Sequence, residues 1–244
     1  MEDIKKYDKT KLACYIGFAT QGIVSNFIPL LFLRFHNEFG IAFSRIAFIP
    51  IIFFIMQILI DIISTKYIDK IGYRTAVIIA ESCQGIGLLS LSFLPSIMKD
   101  PFIGIIICVI VYACGSGLTD VVMSPIIEAC PFKNKEVAMS MLHSFYCWGS
   151  VFVILVSSIY FILFGVDNWR PLAIVWSLIP LYNITNFMVC PINALLPEGH
   201  GLKVSELFLI PIFWVLVLLM ICSGASELAM QQWASAFTES ALKI

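Results

Sequence analysis

The sequence predicts an all-α membrane protein of about seven transmembrane helices, and three observations carry that expectation. Of its 244 residues, 60% are hydrophobic and 13% charged, with a mean hydropathy of +0.95. An ordinary soluble domain carries about 45–50% apolar and about 25% charged residues. So few charges could not cover a soluble fold of this size, which excludes a cytosolic enzyme, a nucleic-acid binder and a disordered tail. The apolar residues fall in seven runs, near 12–33, 43–64, 75–95, 102–126, 138–164, 170–191 and 206–233. About 20 such residues carry a helix across a hydrocarbon core of about 30 Å. The runs are continuous rather than alternating, so they read as helices and not as barrel strands.

Met1 to Lys11 is charged, and the first run is too long for a signal-peptide core and lacks a small-residue cleavage site, so it reads as a retained span. Within it Gln21, Ser25 and Asn26 fall within two turns beside Gly22, a neutral polar face suited to a solute path, and Pro29 then bends the helix. A charge inside a span costs something like 2.5–3.5 kcal/mol. Five carboxylates therefore each need a reason: Asp61, Glu81, Asp120, Glu128 and Glu227. Asp61 and Glu128 fall near the inner ends of spans two and four, where a solvated interfacial charge fits as well as a transport role. Glu81, one to two turns into span three, fits either.

Asp120 is harder to dismiss. It sits in Gly115-Ser-Gly117-Leu-Thr-Asp120-Val-Val-Met-Ser124-Pro125, where the glycines admit a close neighbour and Pro125 frees a carbonyl. No other aspartate is expected at its depth. His143 opens span five in Leu142-His143-Ser144-Phe-Tyr146-Cys-Trp148-Gly149, placed either to line a solute path and carry a proton or to sit at the interface. In span seven, Glu227 and Gln231 are four apart, on one helical face after Gly224 and just before Trp233. That set suits a hydroxyl-rich or zwitterionic solute, and a polar clasp between helices is the other reading.

With the N-terminus inside, inner segments hold Lys5, Lys6, Lys9, Lys11, Lys66, Lys70, Arg74, Lys133, Lys135 and Lys203. Outer segments hold Arg34, Arg45, Lys99, Arg170 and Lys243. That asymmetry satisfies the positive-inside bias and sets the N-terminus in the cytoplasm. The eight cysteines form no C-x-x-C pair and no zinc-spaced cluster with histidine, and read as small buried hydrophobes. No metal or cofactor is expected. After span two, Asp69 falls just before span three, where the positive helix end favours an anion. Lys70 and Arg74 can hold it there, and Gly72 keeps the turn short.

This Asp69-Lys70-x-Gly72-x-Arg74 loop resembles the signature of the major facilitator superfamily, with Thr65 standing where that pattern has its glycine. The resemblance implies a gating latch of Asp69, Lys70, Gly72 and Arg74 between two halves, with Glu128 as acidic partner. Within the superfamily the chain is most similar to the fucose-permease type of sugar/proton symporter. Asp120-x-x-x-Ser124-Pro125 resembles the acid-x-x-x-Asn-Pro stretch tied there to proton coupling. Gly224-x-x-Glu227 resembles a Gly-x-Glu element, and Asn26 lies where that branch has an acid. The resemblance implies a substrate and proton pathway through Asp120, Glu227, Gln231, Trp233, His143, Asn26 and Gln21. It further implies inverted three-helix repeats in residues 1–191, an inter-half linker starting at 192–205, and the first helix of an incomplete second half in 206–244.

The expectation is thus a plasma-membrane secondary transporter, not an enzyme, that binds a small polar solute such as a sugar, and protons. It lies in the lipid bilayer and binds no nucleic acid. A lone first half would leave its polar face exposed, so the chain reads as truncated and inactive alone unless a separately encoded C-terminal half completes it. A seven-helix receptor fits the raw span count, and an intramembrane enzyme would need a serine–histidine pair or paired aspartates at matched depth.

Overall fold

The computed structural model describes the backbone of residues 2–193 and 208–242 and the side chains of residues 6–193 and 208–226. It is all-helical, with no strand among the described residues. Among the described residues, five helical segments are long and apolar enough to cross a membrane: Lys6–Phe39, Phe43–Ile71, Pro101–Ala129, Lys135–Phe164 and Val166–Val189. That is the pattern of a multi-pass membrane protein.

The helices are α1 (Glu2–Phe27), α2 (Phe32–Phe39), α3 (Phe43–Ile46), α4 (Phe48–Ile71), α5 (Tyr73–Leu91), α6 (Leu94–Ile97), α7 (Pro101–Ala129), α8 (Lys135–Phe164), α9 (Trp169–Val189) and α10 (Pro211–Leu242). The first expected span is broken at Pro29, where a 3-10 turn over Pro29–Leu31 separates α1 from α2. Proline removes a backbone donor there. Gly72 joins α4 to α5 at φ +83°, a conformation that only glycine adopts without strain.

The third expected span is α5, which is not among the five. Arg74, Glu81, Ser82 and Gln84 reduce its apolarity. The packing explains why the fold tolerates them. α5 lies against α7 and α9, with Ala76, Ala80, Glu81, Gln84 and Leu88 buried. A helix wrapped by protein does not need an apolar surface all round. By contrast α4 exposes Ile51, Ile55, Ile58 and Ile62, a stripe at helical spacing that suits lipid tails.

The chain divides into two compact units, Met1–Leu195 and Leu196–Ile244. In the first, α1 packs on α7, α8 and α9, α7 packs on α4 and α5, and α5 packs on α9. Exchanging α1 with α7, α4 with α8 and α5 with α9 maps these larger pairings onto one another, whereas the smaller contacts of α7 with α8 and of α5 with α1 and α4 have no equal counterpart. The second unit contains α10, whose described apolar stretch is Pro211–Ser226. The linker expected at 192–205 lies, from residue 194 on, outside the described residues.

Close backbone approach and hydrogen bonds hold such helices together, because helix–helix contact in lipid gains little from the hydrophobic effect. The α1–α8 seam shows both. Gly22 faces the Tyr146 carbonyl and Gly149 faces the Ala19 carbonyl. Asn26 Nδ2 donates to the Gly22 carbonyl at 2.9 Å and to Ser150 Oγ at 3.0 Å.

Each end of the bundle has its own fastening. At one end Glu38 accepts from Arg34 Nε at 2.8 Å, from Trp169 Nε1 at 2.9 Å and from Arg170, tying α2 to α9. There also Arg45 donates to Asp100 at 2.8 Å, joining α3 to the start of α7. This contact holds the Asp100 carboxyl below the usual carboxylate range. A depressed pKa contributes stability above the unfolded value and loses it as pH falls through the folded value. Asp100→Ala is therefore expected to flatten the acid limb of a stability-versus-pH curve by lowering its neutral plateau, modestly for the exposed ion pair and further because Asp100 also caps α7 by accepting from Phe102 N. At the opposite end Thr10 Oγ1 donates to the Pro191 carbonyl at 2.6 Å and Asn193 Nδ2 to the Ala129 carbonyl at 3.0 Å.

Candidate functional site

Two apolar cores lie one above the other in the first unit. One gathers Phe27, Leu31, Phe35, Phe53, Trp169 and Trp176; the other gathers Ala13, Phe18, Val77, Met123, Ile127 and Phe187. Between them, along every long helix, the sequence turns polar. On α7 the first core uses residues up to Ala113 and the second begins at Val122, and Ser116, Thr119 and Asp120 lie between. On α1 the corresponding residues are Thr20 and Gln21, on α4 Gln57 and Asp61, and on α5 Glu81 and Gln84. The result is a polar layer at mid-height. The described lysines and arginines all lie toward the two ends of the bundle, so no permanent cation balances this layer.

Asp120 is its centre. Gln21 Nε2 of α1 donates to Asp120 Oδ1 at 2.7 Å, and Gln57 Nε2 of α4 donates to Asp120 Oδ2. Three helices thus converge on one carboxylate. Asp61 stands one turn after Gln57 on the same face of α4. It lies over Gly117, where an added Cβ would sit 3.0 Å from Asp61 Oδ1. Asp61 and His143 are both within electrostatic reach of Asp120. Two oxygens here are buried without a hydrogen-bond partner, Gln21 Oε1 and Asp61 Oδ1. Asp61 therefore does not sit at an interfacial helix end, and Asp120 does have a neighbouring aspartate. Tertiary packing of α4 on α7 gives Asp120 the aspartate neighbour that the sequence did not predict, and of the two readings open for Asp61 it favours a place in this layer.

A second polar knot lies deeper. Glu81 is fully buried and accepts from Asn183 Nδ2 of α9 at 2.8 Å, and the same nitrogen donates to the Ala13 carbonyl at 3.0 Å. Glu81 Oε2 has no partner. Gln84 Nε2 donates to Thr119 Oγ1 at 2.8 Å, and that hydroxyl in turn donates to the Gly115 carbonyl. This knot joins α1, α5, α7 and α9.

Of the residues expected along a solute path, Gln21 and Asp120 meet directly. His143 is exposed and edge-on to Phe18, one turn before Gln21. Asn26 does not join them, since its amide is spent on the α1–α8 seam. Glu227, Gln231 and Trp233 lie on α10, and their side chains fall outside the described residues. Among the residues expected to form a latch, Asp69 and Lys70 are exposed and Gly72 makes the turn. Glu128 pairs with Lys135 at 3.4 Å. Arg74 donates to the carbonyls of Phe187, Met188 at 3.0 Å and Cys190 at 2.8 Å, capping the end of α9. Helix ends leave carbonyls unsatisfied, and a guanidinium is suited to several at once. Arg74→Ala is expected to cost about 1–2 kcal/mol, read as a lower unfolding midpoint, with Arg74→Lys recovering part of it.

Gln57 and Asp61 carried a signal that periodicity could have found, because two polar residues four apart interrupt an otherwise apolar run. Asn183 carried none, since only the fold brings it to Glu81. Among the described residues no group of three His, Cys, Asp or Glu side chains gathers for a metal. No protein-family model matches the chain, and no curated protein matches it.

Proposed function

We propose that this protein is a transmembrane secondary transporter of the major facilitator kind. It moves a small polar solute such as a sugar by alternating access, coupled to a cation at Asp120; the proton is the ion that the sequence resemblance implies. The observation that carries this reading is the mid-height layer centred on Asp120, a carboxylate held by amides from two other helices and balanced by no described lysine or arginine. Intramembrane acids without a structural counter-ion mark ion and solute pathways, and transporters place such sites near the bilayer midplane.

The self-mapping of the larger helix pairings supports an inverted three-helix repeat, the arrangement that alternating access exploits. In this reading Arg74 locks span three to span six within one half. The neighbouring aspartates also bear on an intramembrane protease. In that chemistry two carboxyls share a proton, whereas here both Asp120 oxygens accept from amides on other helices.

Proteoliposomes carrying the protein test the reading. A panel of sugars and other polar solutes is offered with an imposed inward proton or Na+ gradient. Gradient-dependent accumulation of one of them is the expected result, and accumulation of none would overturn it.

A further inference from the structure

We infer that the space between Asp61, Asp120 and Gln21 binds an alkali cation, with Na+ as the preferred ion. Its role as a coupling ion rests on the transporter reading; the binding itself does not.

The donor set is oxygen only. Asp61 Oδ1 is buried with no hydrogen-bond donor facing it, and so is Gln21 Oε1. Gln21 is 4% exposed. Its Nε2 is fixed on Asp120 Oδ1, so its carbonyl oxygen stays beside that carboxylate and has nothing to accept from. Gln57 fixes the other Asp120 oxygen, so the acid is held from two sides before any ligand arrives. Gly117 completes the geometry. An added Cβ would lie 2.8 Å from the Gln57 carbonyl and 3.0 Å from Asp61 Oδ1, so the bare backbone lets α4 bring Asp61 against α7.

Carboxylate and amide oxygens select hard cations over zinc or copper. Ca2+ takes about six to eight oxygens and Mg2+ a near-ideal octahedron, more than these three side chains offer. A monovalent ion, with its lower charge, tolerates an irregular and incomplete shell better and gives the orphaned oxygens their missing partner. It also reduces the repulsion between two part-buried carboxylates, which no described lysine or arginine offsets. His143 of α8 is, besides Asp61, the other titratable group among the described residues within electrostatic reach of Asp120.

The test is equilibrium binding of 22Na+ to the purified full chain by scintillation proximity, at pH 8 and constant ionic strength in choline chloride. Saturable binding is expected, displaced by Na+ and Li+ but not by excess choline. Asp61→Asn and Asp120→Asn should each weaken it by at least about tenfold, the factor that 1.4 kcal/mol represents. Gln21→Met, which keeps the side-chain length but removes the oxygen, should weaken it too and serves if an aspartate variant fails to fold. No saturable binding, displacement by choline or a simple ammonium as effective as by Na+, stronger displacement by Ca2+, or unchanged binding in folded variants would each overturn the site. Solute uptake plays no part in this measurement, so a failure here is distinguishable from a failure of the transport reading.

Discussion

Asp120→Asn is expected to reduce gradient-driven solute accumulation to the level of protein-free vesicles, while solute exchange at equal concentrations on both sides persists. The substitution removes a charge but little shape. The new amide would present one oxygen and one nitrogen where Asp120 presents two acceptors, so one of its two glutamine partners must turn. Gln21 can, because its Oε1 is unpartnered and a flip of its amide offers that oxygen to the new donor. The usual cost of an unsatisfied buried group, about 1–3 kcal/mol, is thereby largely avoided. A folded protein that exchanges solute but no longer accumulates it would assign Asp120 to coupling. Undiminished accumulation would remove it from that role.

The second large effect concerns assembly. Gly22→Ala would drive a Cβ into the Tyr146 carbonyl oxygen and set it 2.9 Å from the Ser150 nitrogen. Gly149→Ala would drive one into the Ala19 carbonyl oxygen and set it 2.7 Å from Ala19 Cα. These neighbours are backbone and cannot rotate away, so α1 and α8 must separate. Overpacking of this kind costs about 1–3 kcal/mol at each site. Separation also strains the Asn26–Ser150 bond, and interhelical bonds of this type contribute about 0.6 kcal/mol. The two glycines serve one seam, so the double variant should fall short of the sum of the single losses. Gly224→Ala is the control. Nothing lies within 4 Å of its added Cβ, and alanine is the better helix former, so stability should hold or rise slightly. Unfolding midpoints in detergent, followed by circular dichroism, give all four values. Equal midpoints for Gly149→Ala and Gly224→Ala would contradict the packing argument.

How much of this was legible beforehand differs from element to element. The long helices were, because a run of apolar residues reports its own burial in lipid without reference to any neighbour. Spans four and five appear as α7 and α8 with ends shifted by at most three residues, span two appears as α4 but runs seven residues further, and Pro29 interrupts the first span as its chemistry dictates. The third span shows the converse. α5 carries an arginine, a glutamate and a glutamine, which hydropathy alone penalises, yet it is enclosed by α7 and α9. Arg74 reads in the sequence as part of a loop signature, and in the fold its donors cap α9 from 113–116 residues away.

The amino-acid sequence by itself determined that this chain is helical, that it suits lipid rather than water, and that Asp120 has to be shielded inside the bundle. Each of those follows from local composition and from the cost of a charge in hydrocarbon. Only the tertiary structure decided what shields it. Gln21 is 99 residues from Asp120 and Gln57 is 63, so neither partnership has a local signature. Asp61 read as either an interfacial charge or a pathway residue because depth along a helix is easily counted, whereas the helix that it faces is not. Helix pairing depends on which small residues let backbones meet, and here Gly117 brings Asp61 to the layer that Asp120 occupies.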